Sequence, residues 1–87
     1  AQNFPNPFNP ETGIKYQVPA RTNVSLRVYN ALGQEVRTLV NSVKDAGVYS
    51  AVWDGKDNNG RQLTTGIYLV RLEAGDFVMT RKMAMVK

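Results

Sequence analysis

The segment DGKDNNG at residues 54–60 gathers the side chains best suited to chemistry. Its oxygen-bearing members are Asp54, Asp57, Asn58 and Asn59. Carboxylate and amide oxygens on a glycine-rich loop are ligands that calcium accepts. A calcium-loop frame counted from Asp54 puts Lys56 at a ligand position, and a frame counted from Asp57 puts Arg61 at one. Both frames fail, so we expect these side chains to bond their own backbone and predict no metal site.

The same two carboxylates, Asp54 and Asp57, are also the residue types that a glycoside hydrolase uses. No other segment of the 87-residue chain builds a pocket around them. Histidine and cysteine are absent, so the serines have no imidazole to activate them and no thiolate metal site exists. The sequence therefore predicts a protein without catalytic residues or a cofactor.

Alternating apolar and polar residues predict the fold that must position these side chains. The predicted strands lie near 14–18, 24–29, 35–40, 48–53, 67–72 and 77–86. Turn-forming residues separate them every 8 to 12 residues or so, which is typical of an antiparallel β-sandwich of about seven short strands. Residues 1–87 are expected to form one domain.

The segment 35–44 is ambiguous. Its apolar residues, with Leu32 before them, fall at helical offsets, and Gly47 suits a helix C-cap. Its many β-branched residues instead favour a strand near 35–40, paired with the second strand and followed by a loop through Gly47. We favour the strand and keep the helix as the alternative.

Aromatic residues suggest two packing roles. Trp53 shares its parity with Tyr49 and Ala51 on an alternating strand, so we expect a core residue rather than a sugar-stacking one. The opening segment 1–11 holds three of the four prolines, which excludes a helix or a central strand there. This segment is expected to lie extended across the body, with one or both of Phe4 and Phe8 plugged into its edge.

Charge and hydropathy exclude nucleic-acid binding and a transmembrane helix. The net charge of +4 comes from cations scattered singly along the chain, without the basic face that nucleic-acid binding needs. No apolar run is long enough for a transmembrane helix.

In the closing strand, Arg81 and Lys82 interrupt both parities, which indicates a bulge or an exposed edge beside a central strand at 67–72.

Several blocks of the sequence form a recognisable series, which in chain order is Gln2–Pro10, Val28-Tyr29-Asn30, Gly33-Gln34, Trp53-Asp54-Gly55, Asp57, Gly60, Gly66-Ile67-Tyr68 and Thr80–Lys87. Together these blocks resemble a known family, the C-terminal sorting domain of the type IX secretion system. The likeness spans essentially the whole chain. A similar module, which shares the WDG-x-D-x-x-G block, occurs in the flagellar hook-capping protein.

This resemblance implies an immunoglobulin-like fold and a non-catalytic role in sorting and cell-surface attachment. It implies a larger parent protein N-terminal to this domain, the outer-membrane secretion machinery as partner, and export through the periplasm to the surface of a Gram-negative bacterium. Carried over by position, the recognition residues are Pro5, Asn6, Pro7 and Lys82. The structural motif residues are Gly33, Trp53, Gly66 and Tyr68.

An accessory immunoglobulin-like module remains as the alternative function. Such a module would contact a glycan or a neighbouring domain, or would assemble as a hook cap does.

Overall fold

The computed structural model describes residues 11–86, and this part of the chain forms six strands in two antiparallel sheets. The strands are β1 (Thr12–Val18), β2 (Thr22–Asn30), β3 (Glu35–Lys44), β4 (Gly47–Trp53), β5 (Gly66–Ala74) and β6 (Phe77–Met85). One sheet pairs β1 with β4, and the other has the order β3-β2-β5-β6. The predicted β-sandwich is confirmed, with six described strands where about seven were expected.

The core lies between the two sheets and follows the alternation of the strands. Its fully buried members include Val18, Val24, Leu26 and Val28. Residues of the same parity on β5, from Tyr68 to Ala74, are also buried. Because side chains alternate across a strand, each of these strands presents one apolar face to the opposite sheet.

β3 is a strand, as favoured, and it continues to Lys44 rather than ending near residue 40. Its pairing with β2 is interrupted twice, between Leu26 and Arg27 and between Val28 and Tyr29. Each β-bulge adds a residue and shifts the parity of the strand. The bulges explain why the apolar residues of this strand fall at spacings that also suit a helix.

The central and edge positions in the larger sheet also agree with the sequence. β5 lies between β2 and β6, and β6 pairs with β5 in an uninterrupted register. Within the described residues β6 is thus an exposed edge, and the alternative of a bulge at Arg81 and Lys82 is wrong.

The turn at 30–33 connects β2 to β3. Gly33 has a φ of 84° and its N–H donates to the carbonyl of Asn30 at 2.9 Å. A side chain would strain this left-handed backbone, which accounts for the glycine. The Asn30 Oδ1 accepts from the N–H groups of Leu32 and Gln34, both at 3.0 Å.

The expected packing of Phe4 and Phe8 concerns residues that lie outside the described part of the chain. Between residues 11 and 86 there is no helix with the length and apolar character needed to cross a membrane.

Candidate functional site

The loop after β4 begins with a carboxylate that is held by its own backbone and by a neighbouring strand. Asp54 Oδ1 accepts from the N–H of Lys56 at 3.0 Å and from Nη1 of Arg37 at 2.9 Å. The same Arg37 nitrogen donates to the Lys56 carbonyl at 3.0 Å. Since Arg37 belongs to β3 and Asp54 follows β4, this partly buried ion pair ties the two sheets together.

The side chains of Asp57 and Asn58 are also engaged in hydrogen bonds. Asp57 Oδ1 accepts from the N–H groups of Asn59 and Arg61, both at 2.9 Å. Asn58 donates its N–H to the Val36 carbonyl at 2.9 Å, and its Oδ1 accepts from the Thr38 N–H at 3.0 Å. The loop therefore continues the hydrogen bonding of the larger sheet along the outer edge of β3.

These bonds leave the loop without the arrangement that either candidate chemistry needs. Asp54 and Asp57 each use a carboxylate oxygen to order the turn, as the sequence predicts for Asx side chains. Residues 11–86 contain no cluster of acidic side chains that could hold a metal ion. The loop is a structural connection between the sheets.

Trp53 anchors this loop in the core. Its side chain is 2% exposed, and its ring meets that of Tyr68 edge-on with 5.3 Å between centroids. Its Nε1 donates to the Lys56 carbonyl at 3.0 Å. The Tyr68 hydroxyl donates to the Thr64 carbonyl at 2.7 Å. Both aromatic residues thus bury their rings and satisfy their polar ends, and the prediction that Trp53 is buried is confirmed.

A second aromatic pair lies in the smaller sheet. Tyr16 and Tyr49 are directly opposite each other on β1 and β4, with their rings stacked at 5.6 Å. Tyr16 is buried. Burial, and secondarily the neighbouring Tyr49, raise the pKa of the Tyr16 hydroxyl above its usual value.

The outer face of β6 carries the remaining predicted recognition residue. The outer face of β6 is defined by the side chains of Val78, Thr80, Lys82 and Ala84, which are all exposed. Ile67, opposite Ala84 on β5, extends the exposed apolar area. No ion pair within residues 11–86 involves Lys82. The face therefore presents apolar groups and an uncompensated cation at the edge of a sheet.

Charges on the adjoining strands are arranged differently. Arg27 and Arg71 lie directly opposite each other, a pairing of like charges that destabilises a sheet. The Oε2 atom of Glu73 lies 3.0 Å from Nε of Arg71, and the Oε1 atom of Glu35 lies 3.8 Å from Nε of Arg27. These carboxylates offset the two arginines, so that Lys82 is the cation on this side of the sheet that lacks a described acidic partner.

The structure brings only part of the predicted set together. Trp53 and Tyr68 are in contact, and Gly66 begins the strand that carries Tyr68. Gly33 lies in the turn between β2 and β3, and Lys82 lies on β6. Pro5, Asn6 and Pro7 lie outside the described residues. The motif residues in the described region therefore build the fold, and Lys82 alone faces outward as a candidate contact.

Sequence reasoning missed two contacts that matter here, that of Arg37 with Asp54 and that of Asn58 with β3. Arg37 looks like one more scattered cation, because its partner Asp54 lies 17 positions away. Asn58 looks like a turn former, although it also bonds β3. Neither contact has a signal in local periodicity, since both depend on how the two sheets pack.

The model of the FlgD Ig-like domain family matches residues 10–76. This chain belongs to the FlgD Ig-like domain family. A solved structure described as the crystal structure of FlgD from P. aeruginosa is similar, with a TM-score of 0.66 and 26% sequence identity. The match covers 85% of this chain and 58% of that chain, so this chain corresponds to little more than half of that FlgD. No curated protein gives a significant match.

These comparisons distinguish the two parts of the resemblance. The immunoglobulin-like fold and the likeness to the hook-capping protein are confirmed by the family match and the FlgD structure. Neither comparison supports a type IX sorting domain. The family is one of structural and assembly domains, in agreement with the prediction of a non-catalytic protein.

Proposed function

We propose that this chain is a non-catalytic assembly module of a larger protein, related in role to the corresponding domain of the flagellar hook-capping protein. The observation that carries the proposal is the family match over residues 10–76. The loop at 54–60 supports it, because the residues best suited to chemistry serve to join the sheets.

The module would make its contact through the outer face of β6. An edge strand offers main-chain donors and acceptors for pairing with a partner strand. Lys82 adds a charge that forms no ion pair within residues 11–86, and Val78 and Ile67 add exposed apolar area at 49% and 44% exposure. This combination fits a protein partner that carries an acidic, extended segment.

Domain exchange tests the proposal. This chain would replace the Ig-like domain of P. aeruginosa FlgD in cells that lack the native gene, and hook formation would be scored by electron microscopy. We expect hooks with the exchanged protein and fewer with the same protein carrying Trp53→Ala, which should destabilise the domain. Absence of hooks with a folded, stably expressed exchange protein would contradict the proposal.

Type IX sorting is the second candidate function. It is favoured by the sequence blocks at both ends of the chain and by the exposed position of Lys82 on β6. In this proposal Pro5, Asn6, Pro7 and Lys82 are read by the outer-membrane secretion machinery, and the parent protein passes through the periplasm to the cell surface.

A reporter fusion separates the two candidates. Residues 1–87 would be fused behind a periplasm-targeted fluorescent protein in a host with the type IX system. Surface display that Lys82→Glu abolishes would support sorting. Periplasmic retention of the folded fusion would contradict sorting. It would not bear on the assembly role, which the domain exchange tests.

A further inference from the structure

The turn that closes the loop at 54–60 contains an asparagine placed directly before a glycine. Of the eight asparagines in the sequence, only Asn59 has this neighbour, Gly60. Asparagine is a chemically labile residue, because the backbone nitrogen of the next residue can attack its side-chain amide carbon. A side chain on that next residue hinders the approach, and glycine has none. The pair at 59–60 is therefore the position most open to loss of an amide group.

The fold leaves this position accessible. Asn59 is exposed, and the hydrogen bonds described in this turn use its N–H group and not its side chain. At Gly60 an added Cβ would meet no atom within 4 Å. Within residues 11–86, neither packing nor a side-chain hydrogen bond holds the amide of Asn59 away from the backbone of Gly60.

Two other asparagines are held more firmly and serve as references. The Oδ1 atom of Asn58 accepts a hydrogen bond from the N–H of Thr38 at 3.0 Å, and the residue that follows Asn58 carries a side chain. Asn41 is exposed as well, but it lies within β3 and is paired opposite Ser25. Ladder pairing keeps its backbone extended, so the attacking nitrogen stays away from the amide.

Asp57 restrains the turn in which the reaction would take place. The N–H of Gly60 donates to the Asp57 carbonyl at 3.0 Å. The Asp57 carboxylate accepts from the N–H groups of Asn59 and Arg61, both at 2.9 Å. The Gly60 nitrogen must leave its carbonyl partner before it can attack. Since local opening precedes the reaction, the bonds to Asp57 set how often the turn is reactive.

We propose that Asn59 is a site of spontaneous deamidation in the folded domain and that Asp57 controls its rate. The Gly60 nitrogen loses its proton and bonds to Cγ of Asn59, the Cγ–Nδ2 bond breaks, and ammonia leaves with that proton. Water then opens the resulting ring at either of its two C–N bonds. The product is aspartate or isoaspartate, so that one water molecule is consumed for each ammonia released.

Both products change the loop. Aspartate adds a negative charge beside Asp57 and Asp54. Isoaspartate also adds one methylene to the backbone before Gly60, so the N–H groups of Gly60 and Arg61 no longer match the oxygens of Asp57. This region joins the two sheets through Asn58 and Arg37. Deamidation is therefore expected to loosen the connection between the sheets.

Peptide mass spectrometry tests the proposal on the full 87-residue chain after incubation at mildly alkaline pH. Cleavage after Lys56 and Arg61 isolates residues 57–61, which contain Asn58 and Asn59. We expect Asn59 to lose its amide first, giving two products of equal mass, while Asn58 and Asn41 keep theirs. Asp57→Ala should speed the loss about five-fold, the effect of one net hydrogen bond on the opening equilibrium.

The matched control is Val52→Ala, an exposed change on β4 that should leave the rate at Asn59 unchanged. The rate at Asn41 distinguishes opening of the turn from global unfolding, because unfolding of Asp57→Ala would raise both rates. Retention of the Asn59 amide in the folded chain, under conditions in which the urea-unfolded chain loses it, would overturn the proposed site. An unchanged rate at Asn59 in Asp57→Ala would overturn the control by Asp57.

Discussion

Replacing Trp53 tests whether the loop at 54–60 is anchored in the core. The ring is 2% exposed, packs edge-on against Tyr68, and donates to the Lys56 carbonyl. Removing a buried tryptophan side chain costs about 3–5 kcal/mol. A chain of 87 residues has a total unfolding free energy of about 4–13 kcal/mol on the usual scale per residue. Trp53→Ala should therefore remove about a quarter or more of the stability.

Trp53→Phe separates packing from hydrogen bonding. The phenyl ring still fills much of the site, and the Lys56 carbonyl keeps its bond from Arg37 at 3.0 Å. The expected cost is about 1–2 kcal/mol, from one net hydrogen bond and a small loss of contact. Val52→Ala is the matched control, because that neighbour is 60% exposed and should change stability by less than about 0.5 kcal/mol.

Urea unfolding followed by far-ultraviolet circular dichroism measures all three variants without relying on tryptophan emission. With a slope of about 1–2 kcal/mol/M, Trp53→Ala should lower the midpoint by at least about 1.5 M. A midpoint equal to that of Val52→Ala, together with wild-type emission typical of an exposed indole, would refute the reasoning.

The remaining predictions concern individual polar groups. Arg37→Met should cost about 1–2 kcal/mol in urea unfolding, because Asp54 is left partly buried without its cation; a double-mutant cycle with Asp54→Asn that shows no coupling would contradict this. Lys82→Glu should change stability by less than about 0.5 kcal/mol, as read from the urea midpoint, since the side chain is exposed. Asp57→Ala should lower the urea midpoint equally with and without calcium, because its carboxylate bonds backbone; a calcium-dependent difference would argue for a metal site. The raised pKa of Tyr16 should add stability that is complete below the unfolded pKa near 10 and lost as pH rises from there through the folded pKa; chemical unfolding of Tyr16→Phe across this range should lack that loss.

Much of the fold could be predicted from the sequence, because most strands keep a strict alternation. β3 is the exception that shows the physical limit. Its two bulges shift the parity of Val36, Leu39 and Val40, so local periodicity cannot separate strand from helix there. Pairing with β2 determines that this segment is a strand, and pairing is not a local property of the sequence.

The candidate site was less accessible to sequence reasoning. The block Trp53-Asp54-Gly55 with Asp57 and Gly60 is shared between the sorting domain and the hook-capping protein. The structure shows that its side chains bury a ring, bond backbone and join the sheets. Residues that build a fold are common to families with different partners, so this block identifies the sandwich without choosing between those functions.

The central claim is that this chain acts through a surface on β6. Its most direct test is the fraction of cells with a hook when the exchanged FlgD carries single glutamate substitutions. Val78→Glu and Lys82→Glu change the outer face of β6, whereas Val48→Glu and Val52→Glu change positions on β4 that are more exposed than Val78. We expect the β6 substitutions to reduce hook formation and the β4 substitutions to leave it normal. Normal hooks with both β6 variants would contradict the account.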